Sequence, residues 1–596
     1  MSAYAAPIQD MKFVLEELAG LAAVARLPGY EEATPDLVDA VLNEAAKLAG
    51  NVLAPLNAPG DAAGARWSEG CIVTMPAGFK EAYRQFVDGG WNALAFEPEF
   101  GGQGLPKLIS TAVQEMWKAS NMAFSLCPLL TQGAIEALLL RGSDAQKKTY
   151  LHKMIAGEWT GTMNLTEPQA GSDLSQVRCR AVPEGDHYKI FGQKIFITYG
   201  EHDMAENIIH LVLARTPGAP PGVKGISLFV VPKFLVNPDG SLAARNDVRC
   251  VSIEHKLGIH ASPTSIMSYG DAGGAVGDLI GEENRGLEYM FIMMNAARFA
   301  VGLEGVAISE RAYQQAVAFA RDRVQSRDAV HGSPGPVAII KHPDVRRMLM
   351  SMRAQTEAMR ALAYVTAAAL DTAARHPDQD ERDTHRAFVD LLIPVVKGWS
   401  TETGIEVAST GIQVHGGVGF VEETGAAQHL RDARITTIYE GTTGIQANDL
   451  IGRKIAREGG QTAKAVLALI LDTCTDLGEV PDLAEIRSSL GNGARALSEA
   501  VDFIVVNYKS DPGAALAGAV PFLKLMGIVC GGWQMARAAL VAEAKLRSNE
   551  GDAAFYRAKI VTAKFFASHI LAQAPGLRDA IVNGGPAVMA LAEESF

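Results

Sequence analysis

Apolar residues recur at intervals of three and four through Met11–Ala25 and Thr34–Leu48, so the chain opens on short amphipathic helices. Thr34-Pro35-Asp36 predicts the start of the second, with proline in its first turn. The helical period continues from Phe79 to Gly157, broken at EPEFGGQGLP (97–106). Three glycines and two prolines in that stretch predict a turn-rich loop. From Trp159 the pattern changes. HYKIFGQKIFITYG (187–200), NIIHLVLAR (207–215) and GISLFVVPKF (225–234) are short, β-branched and aromatic, and turn signals separate them. They predict an antiparallel sheet running to about Gly281. The helical period returns at Glu288 and persists to about Arg457. Its long helix, Met290–Val324, has a Met- and Ala-rich face that reads as core filling. A charged turn follows at Arg375–Asp383, then a helix that runs into GIQVHGGVGF (411–420). After Gly459-Gly460 the chain is Ala-rich and helical to its end.

The expected fold class is therefore α+β and multidomain. The pieces are an N-terminal helical extension (1–60), a helical domain (61–160), a central antiparallel β barrel or sandwich (161–281), a helical bundle (282–460) and an extra C-terminal helical domain (461–596). At 596 residues the chain exceeds what one core holds. Hydrophobic residues at 48% and charged residues at 20% fit a soluble protein with large buried helices. The net charge of −13 argues against a nucleic-acid partner. Segment 461–596 carries 14 acidic and 12 basic residues, so it offers no basic surface either. The six cysteines form no CxxC pair and read as reduced thiols of a cytoplasmic protein, with no metal site. No signal peptide is expected at the N-terminus. No uninterrupted apolar run approaches 18 residues. The nearest, Leu516–Trp533, is broken by Pro521 and Lys524, so no membrane span is predicted.

The densest chemistry lies in RITTIYEGTTGIQ (434–446). Thr, Ile and Tyr residues favour an extended or loop approach to Glu440, and Ile445–Arg457 has helical spacing. A lone carboxylate in apolar surroundings becomes a usable proton acceptor near neutral pH. Gly441 lets the backbone come close to a ligand, and amides at such a bend can bind a carbonyl oxygen that gains charge. The arrangement suits removal of a proton α to a carbonyl; the bland alternative is a glutamate that caps a helix. Two further stretches admit a functional and a plain reading. LTEPQAGSD (165–173) could orient a planar ring or be a surface turn. Arg323 could bind a pyrophosphate or be a solvated helix-end cation.

Together these motifs resemble the acyl-CoA dehydrogenase family over about residues 80–455: the PEFGGQGL loop, LTEPQAGSD, QKIFITYG, QVHGGVG and IYEGTTGIQ occur in that order. The resemblance implies FAD as cofactor, held between β domain and a C-terminal four-helix bundle. It implies Glu440 as the base that takes the α-proton of an acyl-CoA while flavin N5 takes the β-hydride. Leu165, Thr166, Ser172, Phe196, Ile197, Thr198 and Thr442 would contact the flavin. Arg323, Gln325, Gln413 and Gly417 would contact the adenosine-diphosphate end of the FAD in the partner of a homodimer. Ser172, Asn295, Arg298, Tyr439 and Gly441 would contact substrate. Phe196 stands where the family has tryptophan, Ser326-Arg327 where it has Phe-Gly, and Gly444 where a side chain contacts FAD in some members. The implied product is the trans-2-enoyl-CoA, from a straight-chain acyl-CoA or 3-methylmercaptopropionyl-CoA, with electron-transfer flavoprotein as acceptor. The alternatives are an acyl-CoA oxidase, or a DNA-binding relative that keeps the flavin without dehydrogenating.

Overall fold

The computed structural model describes residues 4–596 and divides into two compact units, 44–105 with 120–300, and 4–43 with 106–119 and 301–596. In chain order the elements that matter are helices α1 (Lys107–Ser120) and α2 (Met122–Arg141), then strands β1 (Trp159–Asn164), β2 (Arg180–Glu184), β3 (His187–Thr198), β4 (Asn207–Ala214), β5 (Ser227–Pro232), β6 (Val248–Ile253), β7 (Thr264–Tyr269) and β8 (Ala275–Leu279). Helices α3 (Gly286–Asp322), α4 (Pro343–Arg375), α5 (Gln379–His415), α6 (Thr443–Asp449), α7 (Ala484–Ser510), α8 (Ala519–Ser548) and α9 (Ala553–Phe565) follow.

The first unit is built on an eight-stranded sheet in the order β6-β7-β3-β8-β5-β4-β1, with β2 also paired to β3. The sheet is not wholly antiparallel as expected. Strands β1 and β4 run parallel, with Trp159 opposite Asn207 and Asn164 opposite Val212. Parallel neighbours need a long crossover, here the stretch through β2 and β3. Every residue of β4 is buried, the pattern of a strand covered on both faces. A core of Ile190, Ile197, Val212, Phe229, Val248 and Met267, among others, lies on one side of the sheet. Cys179 and Cys250 belong to it, and burial pushes their thiols up to about 12 and about 11. The EPEFGGQGLP stretch is the expected loop, closed by Gln103 N–H to the Ala93 carbonyl and Leu105 N–H to the Leu94 carbonyl.

The second unit is helical. Pro35–Leu48 begins where the sequence predicts, with the Thr34 hydroxyl accepting the Leu37 N–H. The long helix ends at Asp322, two residues before the expected Val324. Leu516–Trp533, the apolar stretch that Pro521 and Lys524 interrupt in sequence, is largely helical. Most of it belongs to the continuous 30-residue helix α8, because Pro521 sits in the first turn, where its missing N–H breaks no bond. This helix passes so close to α5 that a Cβ on Gly527 would lie 2.2 Å from Trp399 Cγ. Helices α2, α3 and α8 are each long and apolar enough to cross a membrane by length and composition, and their apolar windows are 78%, 67% and 83% buried within the protein.

A buried ion network joins the two chain ends to this core. Arg360 of α4 binds Glu115 of α1 (2.6 Å), Glu310 of α3 (2.7 Å) and Asp10 near the N-terminus (2.6 Å). Lys559 of α9 binds Asp10 and Glu357. Such a pair is destabilising to break because the surviving charge stays buried.

Candidate active site

The expected loop approach to Glu440 is instead a short 3-10 helix, Arg434–Thr437, followed by a bend. Ile438 and Tyr439 donate their amides to the Ile435 carbonyl (2.8 and 3.1 Å), and the Thr436 hydroxyl donates to the Ala433 carbonyl. Local hydroxyl bonds of this kind override the weak strand preference of Thr and Ile. At the bend Glu440 has φ +56° and Gly441 φ +90°. A left-handed glutamate is uncommon and persists only where its surroundings hold it. Thr442 then caps α6, accepting the Ile445 N–H at 3.2 Å, and the Gln446 amide donates to the Glu440 and Gly441 carbonyls. A Cβ on residue 441 would lie 2.7 Å from that amide nitrogen, and at φ +90° any side chain is strained, so glycine is favoured there.

Two side chains from other helices grip the bend. Lys397 of α5, fully buried, donates to the Gly441 carbonyl at 2.7 Å. The Tyr439 hydroxyl donates to Oε2 of Glu304, a fully buried carboxylate of α3. Burial pushes Glu304 up to about 7; Lys118, the Tyr439 hydroxyl and Lys397 draw it down, and Glu440 adds to the rise. Burial lowers Lys118 of α1 to about 8, against the pull of Glu304. Glu440 itself is half-buried. Sequence reasoning missed Glu304, Lys397 and Lys118. The signal for Glu304 was a single carboxylate in the apolar stretch Phe299–Ile308, which had read as core.

The LTEPQAGSD loop and the end of β3 come together in the other unit. Ile195 N–H donates to the Thr166 carbonyl at 2.9 Å. Lys194, fully buried, donates to the Leu165 carbonyl (2.9 Å) and to Glu167 (2.8 Å); Glu167 also accepts the amides of Arg178 and Cys179. This pair was also missed, although it lies inside the two motifs. Tyr269 donates to Asn164 (2.8 Å), fixing the strand that leads into the loop. Phe196, at φ +59°, sits where the β3–β7 register slips, and it is 58% exposed. Ile197 is buried, Thr166 and Thr198 are half-buried, and Ser172 is exposed. On α3, Asn295 is half-buried and Arg298 is buried, its guanidinium 5.9 Å from the Phe291 ring centre.

The remaining predicted residues cluster at one end of the bundle. Arg323 follows α3 directly and is exposed, as is Gln325 in the hairpin of 324–327 with 336–338. Gln413, in the last turn of α5, and Gly417 beyond it are exposed. The two helix ends meet where Phe319 stacks on His415 at 4.4 Å. His415 is buried there, its Nδ1 2.7 Å from the Gly411 carbonyl, and has a packing partner and a backbone partner of its own.

The chain matches the acyl-CoA dehydrogenase N-terminal, middle and C-terminal domain models over residues 39–158, 162–272 and 284–455, and an acetyl-CoA dehydrogenase C-terminal-like model over 466–592. It is 51% identical to a 3-methylmercaptopropionyl-CoA dehydrogenase of Ruegeria pomeroyi, covering 98% of this chain and 99% of that one. It is 33% identical to a butyryl-CoA dehydrogenase of Syntrophomonas wolfei, over 100% and 99%. An acyl-CoA dehydrogenase of Bacillus anthracis, solved in complex with FAD, shares the fold at a TM-score of 0.73 and 20% identity, covering 98% of this chain and 93% of that one. With these domains spanning nearly its whole length, the chain belongs to the acyl-CoA dehydrogenase family of oxidoreductases.

Proposed function

We propose that the protein dehydrogenates an acyl-CoA thioester to the trans-2-enoyl-CoA, with Glu440 as the base that removes the α-proton. The observation that carries this reading is the left-handed bend at Glu440-Gly441, held by Lys397 at the Gly441 carbonyl and by Glu304 at the Tyr439 hydroxyl; in this reading its backbone amides are assigned to the thioester oxygen. Such amides stabilise a carbonyl oxygen as it gains charge, and an acidified α-proton then passes to a nearby carboxylate.

FAD is the cofactor this reading requires, and the residues fit it. An exposed aromatic ring at Phe196, backbone groups of Leu165 and Thr166 and the hydroxyl of Thr198 suit a flat heteroaromatic with polar edges. Flavin supplies the acceptor for the β-hydride. The exposed cluster of Arg323, Gln325, Gln413 and Gly417 suits a pyrophosphate and adenosine, held for the second subunit of a homodimer. Ser172, Asn295, Arg298, Tyr439 and Gly441 are assigned to the acyl-CoA. In the same reading the central sheet closes toward a barrel, electron-transfer flavoprotein is the acceptor and the protein works in the cytoplasm.

The 51% identical relative favours 3-methylmercaptopropionyl-CoA over straight-chain acyl-CoAs as substrate. The test is anaerobic bleaching of the bound flavin by a panel of acyl-CoAs. Wild type should bleach, fastest with the thioether substrate. Glu440→Gln should retain flavin and lose ~10²–10⁴-fold in rate or more. Failure of every acyl-CoA to bleach wild type would refute the reading.

A further inference from the structure

The grip on the base bend contains more ionisable groups than a packing contact needs. Glu304, Lys118 and Lys397 come from three different helices, α3, α1 and α5, and all three are buried. Burying a carboxylate is costly unless its oxygens are satisfied. Glu304 accepts the Tyr439 hydroxyl on one oxygen, while its other oxygen lies buried with no hydrogen-bond partner among the described residues. A neutral acceptor could anchor a tyrosine at lower cost. Tyr439 directly precedes Glu440, whose backbone is in the left-handed region, and the following carbonyl, that of Gly441, is held by Lys397. A strained bend kept in place from both sides has one consequence at its apex: the carboxylate of residue 440 is presented in a single place.

We propose that Glu304 is a positioning residue for the base. It fixes Tyr439 by accepting the hydrogen bond of its hydroxyl, and through Tyr439 the backbone of Glu440, while Lys397 fixes the other side. Lys118 of α1 supplies the nearby positive charge that keeps a carboxylate tolerable in this place. The titratable groups facing Glu304 are thus Lys118, Lys397, Tyr439 and Glu440. This inference rests on the dehydrogenation reading and adds to it a residue that touches neither substrate nor cofactor. Its role is separable from folding because Tyr439→Phe deletes only the hydroxyl and leaves Glu304 with Lys118.

The experiment uses flavin-loaded protein, with flavin content checked by visible absorbance, and follows anaerobic bleaching against acyl-CoA concentration in wild type, Tyr439→Phe, Glu304→Ala and Glu304→Gln. Misplacing a reacting group by an ångström can cost on the order of a hundredfold. Tyr439→Phe and Glu304→Ala should therefore lose roughly tenfold to a hundredfold in the limiting rate, with the half-saturating concentration within about twofold of wild type. Glu304→Gln, which still offers an oxygen to the Tyr439 hydroxyl, should recover part of the loss. If Glu304→Ala does not fold, Tyr439→Phe decides. A wild-type limiting rate in Tyr439→Phe, a loss confined to half-saturation, or a glutamine variant no faster than alanine would each overturn the proposal alone. A wild type that no acyl-CoA bleaches would overturn the dehydrogenation reading and this one with it.

Discussion

Replacing Lys194 with methionine isolates the joint between sheet and loop. The ammonium is fully buried and donates to Glu167 at 2.8 Å and to the Leu165 carbonyl at 2.9 Å. Methionine keeps the volume of the stem and removes the charge. Glu167, 3% exposed, would keep the Arg178 and Cys179 amides, at 2.7 and 3.1 Å, and the Gln169 side-chain amide at 2.6 Å. Removing one partner of a buried pair costs about 3–5 kcal/mol. With three N–H donors still solvating the carboxylate, the lower end, about 3 kcal/mol, is expected. The pH dependence carries a sign. Burial pushes Glu167 up, but the Lys194 charge, its hydrogen bond and the two amides outweigh this and hold the group below its ordinary value. A group lowered by folding stabilises above its unfolded pKa, about 4.3 for glutamate, and that contribution is lost as pH falls through the folded value. The methionine variant removes the chief cause of the lowering. Its deficit should be largest near pH 7 and shrink towards pH 4. Guanidinium unfolding of wild type, Lys194→Met and the double variant with Glu167→Gln, at several pH values, measures this. The double variant should regain part of the loss, since a neutral pair leaves no buried charge. A Lys194→Met stability within about 0.5 kcal/mol of wild type at pH 7, or a deficit that grows on acidification, would refute the reasoning.

Other perturbations follow from the helical unit. Gly527→Ala places a methyl 2.2 Å from Trp399 Cγ, so α8 must move from α5 or Trp399 must turn. Overpacking of about 1–3 kcal/mol should exceed the ~1 kcal/mol gain in helix propensity, and a raised melting temperature would contradict this. Burial raises Asp10, but Lys559 and Arg360 outweigh it and hold the group at about 2. Its stabilisation is therefore complete above its unfolded value and lost as pH falls towards 2. Asp10→Asn should flatten acid unfolding over that window, and an unchanged acid limb, followed by circular dichroism, would count against the network.

Much of this was legible in the chain. The 3.6-residue period located the long helices, turn chemistry located the EPEFGGQGLP loop, and motif order pointed to the family, because those features depend on residues near one another in sequence. Tertiary structure decided the rest. The parallel pairing of β1 with β4 depends on where the crossover returns, and a fully buried strand such as Asn207–Ala214 has no alternation to reveal its neighbour. Thr436 and Ile438 favour strands, yet local hydroxyl and amide bonds wound them into a 3-10 turn. Residues 304, 397 and 439 are far apart along the chain, and no local pattern pairs a carboxylate in an apolar helix with a tyrosine hydroxyl 135 positions later. Local chemistry made Glu440 a candidate base, and the resemblance of its motif to the family singled it out. What holds it follows from contacts between helices, where the cost of burying Glu304 and Lys397 has meaning only once the helices have packed.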